Sequence, residues 1–579
     1  MRLSLIFGLF TATATLVPAQ AEEPKLVVAI LVDQMRYDYL ERFHKVFGEG
    51  GFKLLTDQGA FMTFARYNYC PTITAPGHAS AFSGSPPAMH GIIGNDWFDK
   101  RTKKMMYCVG DSTVTGVGTA GSAGKMSPRN FTGSNFADML RLHYQTKVVG
   151  ISMKDRGAIL PSGKKPTGAF WFEASSGNFV TSSYYMKELP TWVKAFNDRK
   201  LADGYLGQTW DRLLDEAKYE RPDNLPGEGN LSGEKAPTFP HLVVRPKPQP
   251  PAAVSTTEPD ADPGTTKVAP SAAASAPKVS AAVVAPPKIT YDNILPTPYS
   301  NQLLAEFARA AIEGEHLGAG AGPDLLTVSF SAVDACGHKF GPYSQEVEDV
   351  TLRLDRELAG LFSYLDKQIG LANVVILLTG DHAVMPTPEF AAQEGLDGQR
   401  ADEVALLGDL QAKLSERFGT ANVLLAKRIF DGNIYFNHDA LREKNIPASD
   451  VASFIREWAL STGRYQAAYS REQLLDGRAP GLIGERVFNG YNAERSGDVV
   501  LVYKPYTINW GGKNGTTHGS PYSYDTHIPV LLYGAPFKAG RYPDEFYITD
   551  MVPTLCAALH MDQPAASIGK PFVKVLAAP

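Results

Sequence analysis

Four apolar runs, each ending on a polar or charged residue, set the architecture of this chain before any other feature. KLVVAILVDQ ends on Asp33, KVVGISMKDR on Lys154 and Arg156, DLLTVSFSAVD on Asp334, and NVVILLTGDH on Asp381 and His382. Near-continuous apolar runs of this length are how parallel strands read when both faces are covered. Two further runs, DVVLVYKP and IPVLLYG, add to the same sheet. Between Val347 and Leu365 the apolar residues Val347, Val350, Leu354, Leu358, Leu361 and Leu365 keep spacings of three and four, which predicts an amphipathic helix lying on a sheet face. Strands alternating with helices of this kind predict an α/β fold. In open α/β sheets ligands bind outside the carboxyl ends of the strands, where these polar residues fall.

Residues 245–288 break the pattern with ten prolines and no aromatic, Leu, Ile or Met. Such a segment cannot bury enough apolar surface to offset its ordering entropy, so it reads as a disordered Pro/Ala-rich insertion within one catalytic domain spanning residues 22–579. The first residues read as an address: Arg2, an apolar run, then Ala19-Gln20-Ala21, a small-x-small cleavage pattern that makes residues 1–21 a signal peptide. That run is too short to span a membrane and no comparable stretch follows, so a periplasmic or secreted protein is expected, with no membrane contact after cleavage. A net charge of -5 supplies no basic footprint, which excludes nucleic acid as a structural partner. Four cysteines (Cys70, Cys108, Cys336, Cys556) show no CxxC pair and are left as one or two disulfides or as buried thiols.

The chemistry-bearing residues form a pattern only when taken together. Asp33, the pair Asp334 and His338 in VDACGHKFGP, the adjacent Asp381 and His382 in TGDHA, and His518 in GTTHGS combine carboxylates with imidazoles. Six ligands of these types suit two zinc ions roughly 4 Å apart with positions open for substrate. Thr74 lies in YNYCPTITAPGHAS, where Pro76 and small residues mark a loop entering a helix N-terminus whose N–H groups would face an anion. On this segment alone Thr74 reads as a helix N-cap, and a Thr hydroxyl becomes a nucleophile only when activated.

In order along the chain, YNYC running into PTITAPGHAS, then GNDWFD, SMKDRGAIL, VDACGHKFGP, TGDHA and GTTHGSPYSYDTHIPVLLYG resemble the alkaline phosphatase superfamily, in particular the phosphate-irrepressible bacterial alkaline phosphatases with a threonine nucleophile. These are related to the type I phosphodiesterase/nucleotide pyrophosphatases. The resemblance implies a three-layer sandwich with a large central, mostly parallel sheet flanked by helices and carrying inserted cap segments. It implies one zinc bound by Asp33, Asp381, His382 and the Thr74 oxygen, and a second bound by Asp334, His338 and His518. Asn95 matches an asparagine that hydrogen-bonds the phosphoryl group, and Lys154 with Arg156 match the pair that marks the monoesterase branch. The implied activity is hydrolysis of small-molecule phosphate monoesters to inorganic phosphate through a phosphothreonine at Thr74, by a chain expected to be monomeric. His78 is expected to support the site from behind, and Cys336 to be a packing residue or half of a disulfide. A phosphodiesterase or nucleotide pyrophosphatase is the nearest rival. A sulfatase lacks support because no C-x-P-x-R surrounds the nucleophile, and a non-catalytic phosphate- or metal-binding relative would be expected to have lost a ligand.

Overall fold

The computed structural model describes residues 23–244, 290–426 and 428–577. The expected signal peptide (1–21) and the expected insertion (245–288) therefore lie outside the described residues. The main sheet has ten strands: β1 (Leu26–Val32), β2 (Ala60–Arg66), β3 (Gly116–Val117), β4 (Val148–Ser152), β5 (Gly168–Glu173), β6 (Asn178–Ser182), β7 (Asp324–Phe330), β8 (Val374–Gly380), β9 (His527–Tyr533) and β10 (Gly540–Tyr547). Their order is β10-β2-β9-β8-β1-β7-β4-β5-β6-β3. The central strands β8, β1, β7, β4 and β5 are parallel, and antiparallel pairs bring in β9 on one side and β6 on the other.

Four of these neighbours, β8-β1-β7-β4, are the four runs read from the sequence. Adjacent strands lie about 4.8 Å apart, so their carboxyl ends bring Asp381, Asp33, Asp334 and Lys154 into one row. Strand side chains alternate between the two sheet faces. Leu26, Val28, Ile30 and Val32 of β1 pack with α4 (Pro298–Glu315), α5 (Ala332–Phe340) and α6 (Gln345–Ile369). Val27, Ala29 and Leu31 face Phe82 of α1 (Thr74–Ser83), Phe136 and Leu140 of α2 (Phe136–His143), and Met551 and Leu555 of α7 (Met551–Ala558). Both faces of β1 are thus covered, which is why its run carries no polar residue before Asp33. The helix read from Val347 to Leu365 is α6, with all six of its apolar positions buried.

One strand expectation fails. DVVLVYKP forms Val499–Tyr503, which pairs with Asn433–Ile434 and Tyr465–Ser470 in a separate three-stranded sheet. That sheet packs on Leu407, Leu410, Val451, Ile455 and Trp458 in a core of its own, between β8 and β9 in the chain. A short apolar run encodes burial and not the identity of its partner strand. All four cysteines are thiols, with Cys108, Cys336 and Cys556 buried and Cys70 partly exposed, so the disulfide alternative is not realised. No helix among the described residues is long and apolar enough to cross a membrane.

Candidate active site and metal centre

Thr74 is the first residue of α1, not its cap. Ile73 holds the cap position in extended conformation and offers no side-chain bond. Within the first turn the Ala75 N–H is taken by Asn95 Oδ1 at 3.0 Å, and Pro76 has no N–H to give. The helix terminus therefore presents fewer donors to an anion than its position in the chain predicts. The Ala75 bond in turn fixes the Asn95 amide, with its NH2 group on the opposite side.

The α1 terminus is pressed against the end of β8. A Cβ added at Gly77 would lie 2.2 Å from the Asp381 carbonyl oxygen, so only glycine allows this approach. Thr74 Oγ1 lies 3.5 Å from His382 Nε2. His78, one turn along, approaches Thr74 O at 2.9 Å and Ser329 Oγ at 2.7 Å, and its ring lies 3.3 Å from Asp381 Oδ2. Burial holds its pKa down near 4, so the imidazole is neutral and supports the site from behind.

The seven expected ligand residues come together. Asp33, Asp381 and His382 place ligand atoms within 4.8 Å of one another, and so do Asp334, His382 and His518. The His382 ring lies between the two groups, stacked on His518 with centroids 3.5 Å apart. His338 was expected as the direct partner of Asp334 and His518; its Nε2 is 3.2 Å from Asp334 Oδ1, at the edge of the second group. Gln34, whose role nothing in its local sequence announces, ties the acids together: its N–H donates to Asp381 Oδ1 at 3.0 Å and its Nε2 to Asp334 Oδ1 at 2.7 Å. It does so from a left-handed backbone at φ +66°, a conformation that concentrates at functional sites in non-glycine residues.

The donor set fits divalent metal ions. Each of the three imidazoles is held through Nδ1 by a backbone carbonyl: His338 on Thr516 O (2.9 Å), His518 on Thr72 O (2.8 Å) and His382 on Ala383 O (3.1 Å). A carbonyl only accepts, so each Nδ1 carries a proton, which leaves each Nε2 as the ring atom that faces the carboxylate oxygens and could bind a metal. An Nε2 that faces carboxylates needs a proton or a metal ion between them, and Asp381 and Asp33 push the His382 pKa upward against burial. Asp33 Oδ1, Asp381 Oδ2 and His518 Nε2 are buried and make no hydrogen bond, where burial of such groups is costly without a partner. Burial, then the Asp33 charge, push the Asp381 carboxyl well above the usual range. For Asp33, burial and the Asp334 charge act upward, and the Lys154 ammonium acts downward.

Lys154 and Arg156 flank the start of α3 (Asp155–Ile159), just past β4. The Lys154 ammonium bridges Asp33 Oδ2 at 2.7 Å and Asp334 Oδ2 at 2.6 Å. Arg156 donates to Tyr107 Oη at 3.1 Å, and that hydroxyl donates to Asp155 Oδ1 at 2.6 Å. Tyr107 and Asp155 thus orient the guanidinium, roles that nothing in their local sequence announces. Cys336, between Asp334 and His338, packs into the core on the far side of α5.

The profile of the type I phosphodiesterase/nucleotide pyrophosphatase family matches residues 27–521. Alkaline phosphatase PafA of Elizabethkingia meningoseptica is 37% identical over 559 residues, covering 96% of this chain and 94% of PafA. The chain is a member of the alkaline phosphatase superfamily. Alkaline phosphatase PhoV of Synechococcus elongatus is 35% identical over 568 residues, 96% of this chain and 94% of PhoV. A Myroides odoratus relative that carries the name calcium-transporting ATPase is 35% identical over 575 residues, 98% of this chain and 97% of its own. The crystal structure of PafA superposes with a TM-score of 0.84 at 35% identity, over 96% of this chain and 100% of that one. A PafA variant with a threonine replaced by serine, and an asparagine, a lysine and an arginine by alanine, superposes with a TM-score of 0.85 at 34% identity, over the same shares of the two chains. For this superfamily member the ten-stranded sheet and its helical layers are therefore the expected architecture.

Proposed function

We propose that this chain is an exported phosphomonoesterase that uses Thr74 as its nucleophile and two zinc ions as cofactors, Asp33, Asp381, His382 and Thr74 holding one and Asp334, His338 and His518 the other. The observation that carries the reading is the clustering of three buried carboxylates and three Nδ1-anchored imidazoles, one of which, His382, lies 3.5 Å from the hydroxyl of Thr74 at a helix start. When bound, such ions supply Lewis acidity, lowering the pKa of an oxygen ligand and offsetting charge on the phosphoryl group. The names of PafA and PhoV support the reading. So does the PafA variant, whose altered residues match Thr74, Asn95, Lys154 and Arg156 in type and in chain order.

In this reading the Thr74 oxygen attacks phosphorus in line, the P–O bond to the alcohol breaks, and the alcohol leaves with a proton. Water then adds to phosphothreonine, the Thr74 oxygen regains a proton, and inorganic phosphate leaves. Phosphoryl transfer demands mainly positioning and charge neutralisation. Asn95, oriented by Ala75, donates to a phosphoryl oxygen. The Lys154 ammonium, whose present partners Asp33 and Asp334 are themselves ligands in this reading, turns on its flexible stem to the phosphoryl group beside Arg156. A monoester dianion makes fuller use of this second pair of cations than a diester monoanion does.

The test is kcat/KM for an aryl phosphate, its methyl diester and an aryl sulfate on one preparation with measured metal content. Preference for the phosphate monoester at two zinc ions per chain is expected. Preference for the diester would move the function to the phosphodiesterase side of the family.

A further inference from the structure

A second acidic cluster lies outside the active site. Asp223, Glu228 and Glu346 bring carboxylate oxygens within 4.8 Å of one another. Glu228 is 4% exposed and Glu346 is fully buried. Neither oxygen of Glu228 and not Oε2 of Glu346 makes a hydrogen bond. Asp223 accepts from Arg212 at 2.6 Å. Glu346 Oε1 meets His241 Nε2 at 3.1 Å, and His241 Nδ1 meets Glu234 Oε2 at 3.0 Å.

Two ways exist to keep such carboxylates buried: protonate them or bind a cation. Burial, then the Glu346 charge, push Glu228 up to about 9. Neither Glu228 oxygen receives a hydrogen bond, so in the ionised form nothing donated by the protein offsets its burial. The charge count agrees with a cation. If all four carboxylates (Asp223, Glu228, Glu234, Glu346) are ionised, the cations in contact with them are one guanidinium, from Arg212, and one imidazole, His241, whose pKa its two glutamates raise to about 9 against burial, so Glu228 has no contacting cation of its own.

We propose that Asp223, Glu228 and Glu346 form a calcium site that pins residues 227–229 against the segments carrying His338 and His518. The donors are all oxygen, which selects a hard cation. Calcium takes six to eight oxygens, including bidentate carboxylates, whereas magnesium keeps several waters that two deeply buried glutamates do not admit. The hydrogen bonds of the pinned segment define the purpose. Gly229 N–H donates to Lys339 O at 2.8 Å, Gly515 N–H to Gly227 O at 2.6 Å, and Asn514 Nδ2 to Glu228 O at 2.8 Å. Thr516 N–H completes the link by donating to His338 O at 2.9 Å. Anchoring Glu228 therefore braces two imidazoles of the candidate metal centre from outside it.

The experiment titrates calcium chloride into zinc-loaded, calcium-depleted full-length protein by calorimetry and follows Tm. One equivalent of calcium should bind and raise Tm. Glu228→Gln and Glu346→Gln should each bind calcium at least about tenfold more weakly, the scale of losing a metal-site partner, at unchanged zinc content. In calcium-free buffer Glu228→Gln should be at least as stable as the wild type, because it removes an uncompensated buried charge, so loss of binding in that variant is not loss of folding. No calcium uptake, unchanged affinity in both variants, or tighter binding of magnesium than calcium would overturn the assignment.

Discussion

Gly77→Ala tests the contact on which the whole site is assembled, that between the start of α1 and the end of β8. The added methyl would lie 2.2 Å from the Asp381 carbonyl oxygen and 2.8 Å from Asp381 Cβ. Nonbonded carbon contacts settle near 3.5–4.0 Å, so relief requires a movement of roughly 1 Å. Neither side can supply it locally, because the obstructing atoms are backbone and Cβ and α1 is buried along its length. The movement therefore separates Thr74 from Asp381 and His382. A misplacement of about 1 Å costs on the order of 10²-fold in rate, and overpacking costs about 1–3 kcal/mol of stability. The assay is kcat/KM for an aryl phosphate together with zinc affinity and urea unfolding. Gly408→Ala, on the helix Glu403–Phe418 with no atom within 4 Å of the new methyl, is the control and should gain up to about 1 kcal/mol at unchanged rate. Wild-type activity and zinc affinity in Gly77→Ala would refute the reasoning.

Replacing both Lys154 and Arg156 by Ala should lower monoester kcat/KM by about 10³ or more and diester kcat/KM far less; equal losses at unchanged zinc content would contradict a role in selecting the dianion. Asp525 is fully buried and its carboxyl is pushed up to about 7 by burial, so the folded state holds a proton that the unfolded state releases near 3.8. Stability is then lost as pH rises through that window at about 1.4 kcal/mol per unit. Asp525→Asn should gain on the wild type in urea unfolding between pH 5 and pH 8, and a pH-independent difference would remove the argument. Residues 245–288 should be replaceable by a short flexible linker without loss of turnover or zinc, since Asn293 Nδ2 donates to Val244 O at 2.9 Å and the chain leaves and returns at one place. A replacement that fails to bind zinc would make the segment part of the site.

The strand ends were legible because a parallel strand covered on both faces is nearly all apolar, with at most small hydroxyl residues such as Thr327, Ser329, Ser152 and Thr379, and the first charged residue marks where the cover stops. Asp33, Lys154 and Asp381 follow their strands closely in this way, Asp334 lies on the first turn of α5 just past β7, and the four strands are neighbours in the sheet. Edge strands carry no such mark: β10 reads GRYPDEFY, with polar residues and a proline on its exposed side. The strand Val499–Tyr503 was legible as a strand and not as a member of a particular sheet, since its five residues fix burial alone. Within the site, residues with metal-binding chemistry could be read, whereas those that act by approach could not. Gln34 and Gly77 matter because segments about 300 residues apart meet at them, and Tyr107 matters because β4 delivers Arg156 to its hydroxyl. Thr74 was misread as a cap because Ile73, which has no capping chemistry, takes that position.

The central claim is that phosphate passes through Thr74. Zinc-loaded protein mixed with an aryl phosphate and quenched in acid during turnover should yield one phosphorylated peptide, containing Thr74. Thr74→Ala should yield none while keeping its fold and zinc, and Thr74→Ser should yield phosphoserine at the same position. Full turnover in Thr74→Ala, or a phosphorylated residue other than Thr74, would contradict the account.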